Sequence, residues 1–144
     1  MAKAIVLDTS FWIALYYPSD RYHEDATNLL TAVNRLQPII YLPWPICYEV
    51  LRTKFVKNKN WVRQFKIHLD QLPIRRIDDS SYREKAFDAT ITEAIKGQRR
   101  ISLVDMVIRH VLEDRSLKID YLITYNQKDF VDVCKKTKIG LQLL

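Results

Sequence analysis

Apolar and polar positions follow two rhythms along this chain: short continuous apolar runs, and longer stretches with helical spacing. Ala4-Ile-Val-Leu7 is a run of the first kind and predicts a strand buried on both faces, as in the middle of a parallel sheet. After Asp8-Thr9-Ser10, the apolar run Phe11 to Tyr16 predicts a helix, broken at Pro18-Ser19-Asp20. From Tyr22 to Leu36, the positions Ala26, Leu29, Leu30, Val33 and Leu36 fall on one helical stripe. Ile39 to Leu42 predicts a second buried strand, and Pro43-Trp44-Pro45 turns the chain into a helix with Pro45 at its first position. That helix carries Cys47 to Val56, and another runs from Trp61 to Leu72. Ile74 to Ile77 predicts a third strand. Ser80 and Ser81 offer caps to a helix that reaches Lys96 and ends at Gly97. Ser102 to Asp105 has the capping-box pattern that opens a further helix. Asp120 to Thr124 predicts a strand, Gln127 to Lys136 a short helix, and Leu141 to Leu144 a last edge strand. Strands alternating with helices predict an α/β fold, a mainly parallel central sheet flanked by helices.

Composition narrows the class. The 144 residues suit one domain over residues 1–144, and a hydrophobic fraction of 48% supports a full core and excludes a disordered tail. The formal charge of +6, with a pI near 9.3, suits a polyanionic partner, though it equally fits an ordinary soluble protein. No run of roughly 18 apolar residues predicts a membrane span, and the residues before Asp8 are too few for a signal peptide. Cys47 and Cys134 stand alone without a CxxC spacing, so the expectation is reduced thiols in a cytoplasmic protein.

The chemistry is carried by carboxylates at the starts of helices. Asp8 ends the first strand, Glu49 lies one turn into the helix after the second, and Asp105 lies in the first turn of the helix beginning at Ser102. Asp129 follows the strand ending near Thr124. In a parallel sheet the carboxyl ends of the strands face one crevice, where separate segments assemble a site. Carboxylates that converge there repel one another unless positive charge intervenes, and all-oxygen ligands without a His or Cys cluster point to Mg²⁺ or Mn²⁺. Such an ion serves phosphodiester hydrolysis. Each residue also has a plainer use: Asp8 as a helix cap, Glu49 as partner of Arg52, Asp105 in the Ser102 capping box, Asp129 with Asn126.

The motifs around these carboxylates resemble those of the PIN-domain nucleases. Ile5-Val-Leu-Asp8-Thr-Ser10-Phe resembles the family's opening strand, Ile46-Cys-Tyr-Glu49-Val-Leu51 its second acidic position, and Ser102-Leu-Val-Asp105-Met-Val-Ile its third. Tyr121-Leu-Ile-Thr124-Tyr-Asn126-Gln-Lys-Asp129-Phe130 resembles its closing strand and loop. The resemblance implies a PIN-like three-layer fold and a Mg²⁺- or Mn²⁺-dependent endoribonuclease. It makes Asp8, Glu49 and Asp105 metal ligands, with Asp129 in support and Ser10, Thr124 and Asn126 orienting ligands or water. Many small stand-alone members are toxins of VapBC-type pairs, which implies an antitoxin partner. The chain departs from the pattern at Asn126, where members often carry Asp, and this favours a rival reading as a catalytically weak RNA-binding or assembly module. Cleavage of DNA is a third reading. A haloacid-dehalogenase-type phosphatase needs Asp at position 10, which is Ser, and a metal-free ribonuclease needs paired imidazoles, whereas His23, His68 and His110 share no motif.

Two surfaces remain. Between Leu51 and Leu69 six Lys or Arg residues occur without an acid, with Phe55, Trp61 and Phe65 interleaved, which suits a single-stranded RNA path. Arg52, Lys54 and Lys57 are the candidate contacts there, and Arg99, Arg100 and Lys128 flank Asp105 and Asp129. The same spacing also fits a helix with Phe65 and Leu69 turned to the core and its lysines solvated. The aromatic wealth of Phe11, Trp12, Tyr16, Tyr17 and Tyr22 exceeds what one small core needs, so a second copy or an antitoxin segment is expected to cover part of it.

Overall fold

Four apolar residues, Ala4–Leu7, form strand β1, and all four are buried. Strands β2 (Ile39–Pro43) and β4 (Tyr121–Ile123) pair with it in parallel on either side, with Ile5 opposite both Ile40 and Tyr121. Strands β3 (Ile74–Ile77) and β5 (Gly140–Leu141) complete the sheet in the order β3-β2-β1-β4-β5, every pairing parallel. The structure is a computed structural model and describes residues 2–141, so the remainder of the edge strand expected to Leu144 lies outside the described residues. β1 is central because its run is apolar on both faces. β3 carries Arg75 and Arg76, both exposed, and sits at an edge.

The helices follow the strands as the spacing predicts, with instructive departures. Helices α1 (Thr9–Tyr16) and α2 (His23–Leu36) follow β1. On α2 only Ala26 and Val33 of the expected stripe are fully buried, and Leu36 is 48% exposed, because the chain turns away at Gln37 in a left-handed conformation. Helix α3 (Trp44–Val50) starts one residue early, so Pro45 is its second residue. The expected continuous helix to Val56 breaks at Leu51 and Arg52, and Thr53–Val56 forms a separate turn, α4. The reason is geometric. In an unbroken helix Val50 and Phe55 would point about 140° apart, whereas both are fully buried here. Helix α5 (Lys59–Gln71) is capped by Asn58, whose Oδ1 accepts from the N–H groups of Asn60 and Trp61, both at 3.1 Å.

Helix α6 (Ser80–Lys96) has Asp79 rather than a serine at its cap position, and Gly97 ends it with φ +70°, the left-handed region open to glycine. Ser102 caps α7 (Leu103–Glu113) by accepting from the N–H of Asp105 at 3.1 Å. The expected helix from Gln127 to Lys136 is instead a 3-10 turn, Gln127–Asp129, and helix α8, Val131–Thr137, separated by the fully buried Phe130.

Of the aromatic residues expected to face a partner, Phe11, Trp12, Tyr16 and Tyr17 are core, and Tyr22 is half-buried. Phe11 and Trp12 are fully buried, and Tyr16 and Tyr17 nearly so. Trp12 meets Phe65 edge-on, Tyr16 meets Phe55, and Tyr17 stacks on Trp61 with ring centres 4.1 Å apart. The rings of α1 are thus taken up by α4 and α5. Exposed apolar side chains lie elsewhere, among them Phe87, Ile91 and Ile95 at helical spacing along α6. Cys47 and Cys134 are buried free thiols, and no helix among the described residues is long and apolar enough to cross a membrane.

Candidate active site

The strand order reverses between β1 and β4, since the chain leaves β1 toward β2 and returns on the other side as β4. At such a switch point the carboxyl ends of the two strands diverge into a crevice. Asp8 and Thr124 are the residues that follow these two strands, and the Asp8 N–H donates to the Ile123 carbonyl at 3.0 Å, extending the ladder by one bond.

A pair of hydroxyls holds Asp8. Its Oδ2 accepts from Thr124 Oγ1 at 2.8 Å and Ser10 Oγ at 3.2 Å. Those hydroxyls accept in turn from the backbone, Thr124 Oγ1 from the N–H of Asn126 and Ser10 Oγ from the N–H of Tyr125, each at 3.0 Å. The β4 loop is therefore tied to the Asp8 carboxylate through two side chains. The other oxygen, Asp8 Oδ1, is buried and has no hydrogen-bond partner. A carboxylate only 3% exposed with one oxygen unsatisfied is costly. Burial accordingly raises its pKa, against the lowering effect of the Thr124 and Ser10 hydrogen bonds.

The other carboxylates arrive from separate elements. Glu49, on α3, accepts from Thr9 Oγ1 at 2.5 Å rather than pairing with Arg52. Its pKa is raised by burial and by the charge of Asp8, with Thr9 and Arg52 pulling the other way. Asp105, in the first turn of α7, is pushed up to about 7, first by burial and then by the charges of Asp8, Glu49 and Asp129. The charges of the other three carboxylates thus reach Asp105. Asp129 sits in the 3-10 turn, and its Oδ2 accepts from Asn126 Nδ2 at 2.5 Å, while the same amide lies 3.5 Å from Asp105 Oδ2. Asn126 thus points into the cluster as a neutral donor between two acids.

Asp8, Glu49, Asp105 and Asn126 line a common cleft of about 450 Å³ together with Arg52, Arg21, Tyr22 and Tyr125. Among the described residues, no three acidic, His or Cys side chains close on one point as a ready metal cage. Like charges explain this, since Glu49 turns onto Thr9 and Asp129 onto Asn126, each finding a donor of its own.

The candidate RNA contacts are scattered. Arg52 lines the cleft, whereas Lys54 and Lys57 line a separate hollow beside Trp61, with Lys54 Nζ 5.3 Å from the Tyr17 ring centre. Arg99 is engaged with Asp132 at 2.9 Å and reaches the Lys128 carbonyl, while Arg100 and the Lys128 side chain are exposed. Arg109 escaped the sequence reading. It grips Asp132 with both guanidinium nitrogens at 2.8 Å and donates to the Asp129 carbonyl at 2.7 Å, so it pins the turn that carries Asp129. Its place four residues after Asp105, on the same face of α7, was the available signal.

The all-parallel five-stranded sheet flanked by helices has a PIN-like α/β fold, similar to that of the VapC toxins. It is similar to VapC20 of Mycobacterium tuberculosis, a sarcin–ricin-loop-cleaving toxin, with TM-score 0.69 and 21% identity over 89% of this chain and 94% of that one. It is also similar to VapBC2 of Rickettsia felis, solved with a DNA fragment from its promoter (TM-score 0.61, 16% identity, 96% of this chain and 97% of that one). A third likeness is to FitAcB of Neisseria gonorrhoeae, with TM-score 0.60 and 15% identity over 96% of both chains. At these identities the likeness is one of fold. No family model and no curated protein matches the sequence.

Proposed function

We propose that this chain is a metal-dependent endoribonuclease and the toxin of a toxin–antitoxin pair. The observation that carries the reading is Asp8, a buried carboxylate with one unsatisfied oxygen, surrounded by three further carboxylates at the switch point of a VapC-type sheet. The donor set fits a hard divalent cation in kind, being all oxygen and mostly anionic. Asp8, Glu49 and Asp105 would hold Mg²⁺ or Mn²⁺, with Asp129 in support. When bound, the ion supplies polarisation of a phosphoryl oxygen and a lowered pKa for water. The chain's own residues do the positioning. Thr124 and Ser10 fix the Asp8 carboxylate, Thr9 orients Glu49, and Arg52 offers positive charge to a phosphate at the cleft wall. An antitoxin, or a second copy of the chain, has apolar surface to cover on α6.

The test is cleavage of labelled single-stranded RNA by the purified chain. Cleavage should require Mn²⁺ or Mg²⁺, stop in EDTA, and fall by at least about a hundredfold in Asp8→Asn and in Asp105→Asn. Undiminished cutting in EDTA overturns the metal mechanism, and faster cutting of DNA of the same sequence overturns the RNA assignment. Asn126 favours a second reading, an RNA-binding module of weak activity, because it places an uncharged amide between Asp105 and Asp129. RNA binding without cleavage at any metal concentration would select that reading.

A further inference from the structure

The cleft that holds the carboxylates continues to a stack of three side chains. Tyr22 and Tyr125 lie parallel, ring centres 4.2 Å apart and planes 5° from each other, and the Arg21 guanidinium lies 4.9 Å from the centre of the Tyr22 ring. Arg21 and Tyr125 thus both lie against the Tyr22 ring. The stack joins two distant segments and each is fixed. The Tyr22 N–H donates to Asp20 Oδ1 at 2.8 Å, ahead of α2. The Tyr125 N–H donates to Ser10 Oγ, the hydroxyl that also holds Asp8, and its phenol donates to Asp25 Oδ2 at 2.5 Å.

Most aromatic rings of α1, α4 and α5 are spent in the core, but Tyr22 and Tyr125 are half-buried and form part of the cleft wall. Flat π surfaces with a guanidinium at one end take nucleobases by stacking, with little regard to base identity. The acids beside the stack, Asp20 and Asp25, oppose a phosphate at the same spot, whereas Arg52 offers a cation toward the carboxylates. We propose that Tyr22 and Tyr125, with Arg21, form a subsite that stacks an unpaired nucleobase and so places the adjoining phosphate over the carboxylates, a proposal that rests on the RNA-cleaving reading of the same cleft.

The probes are fluorescein-labelled rU8 and rA8, and an abasic ribose–phosphate 8-mer of equal charge. Binding to the full chain is followed by anisotropy in EDTA at low salt. Tyr125→Leu should bind both base-bearing oligomers roughly tenfold more weakly than the wild type. Tyr125→Trp should retain binding, and all variants should bind the abasic chain alike. With Mn²⁺ present, Tyr125→Leu should raise KM by a similar factor and change kcat less. Arg21→Gln, at an exposed position, should weaken base-bearing oligomers about threefold and serves if Tyr125→Leu does not fold. Wild-type affinity in Tyr125→Leu and Arg21→Gln, or a loss in Tyr125→Leu equally large on the abasic chain, overturns the subsite. A chain that shows the base-dependent loss yet cleaves no RNA keeps the subsite and removes the nuclease reading. A chain that cleaves RNA without that loss does the reverse, and loss of binding to an antitoxin alone overturns the subsite in favour of a protein contact.

Discussion

Asp105 keeps its proton up to a pH of about 7, because burial and then the charges of Asp8, Glu49 and Asp129 disfavour its carboxylate. In the unfolded chain it would ionise near its ordinary value of 3.8. Between those values the folded state binds more protons, so the stability of the metal-free protein falls as pH rises through this window and stays lower above it. Urea unfolding in EDTA from pH 5 to pH 8 should show that fall. Asp105→Asn should lessen it, leaving the part due to Asp8 and Glu49, and raise stability at pH 8 by roughly 1–2 kcal/mol, once screening at a part-exposed group is discounted. Asn126→Asp acts in the opposite direction, since it removes an amide donor and adds a charge beside Asp105 and Asp129. A pH slope shared by wild type and Asp105→Asn would mean that Asp105 ionises in the folded protein near its ordinary value. Cation affinity should run the other way and rise with pH through about 7, because ligating carboxylates must be ionised.

Helix α7 carries Asp105 at its start and Arg109 one turn later, and through Arg109 it holds the 3-10 turn of Asp129. Arg109→Met keeps most of the stem and removes the charged hydrogen bonds to Asp132 and the Asp129 carbonyl. It should cost roughly 1.5–3 kcal/mol. Hydrogen exchange at the amides of Asp129 and Phe130 should quicken more than exchange in β1, and equal exchange in both proteins would show that the turn stands without Arg109. This coupling marks where element-level reading of the sequence stops. Apolar runs announce β1, β2 and β4, and once the sheet is parallel, Asp8, Glu49 and Asp105 follow to one edge. The break between α3 and α4 is different, because it answers a tertiary demand, the burial of both Val50 and Phe55, which local spacing does not carry. The turn before α8 has the same cause in Phe130. The rings of Trp12 and Tyr16 looked surplus because their partners Phe65 and Phe55 lie on helices far along the chain. Tyr22 and Tyr125 meet across the whole fold, and no period in the sequence records that.

At the scale of the molecule, a chain of net charge +6 gathers four carboxylates at one edge of its sheet. They come from the end of β1, from α3, from the start of α7 and from the turn after β4, so their repulsion strains the assembly of the whole fold rather than one element. A cation that binds only the folded state must then stabilise global unfolding by mass action, about 2.7 kcal/mol at a hundredfold excess over Kd. For a chain of this size that corresponds to a rise in Tm of roughly 5–10 °C. Millimolar Mn²⁺ should produce such a rise in the wild type and a much smaller one in Asp8→Asn, which has lost the buried anionic ligand. Sodium chloride at equal ionic strength should do little, since screening acts weakly on a buried group. Because the ligands span separate elements, exchange protection in β1 and α7 should increase together with Mn²⁺. Equal Tm shifts in wild type and Asp8→Asn would place the ion elsewhere on the surface, away from Asp8.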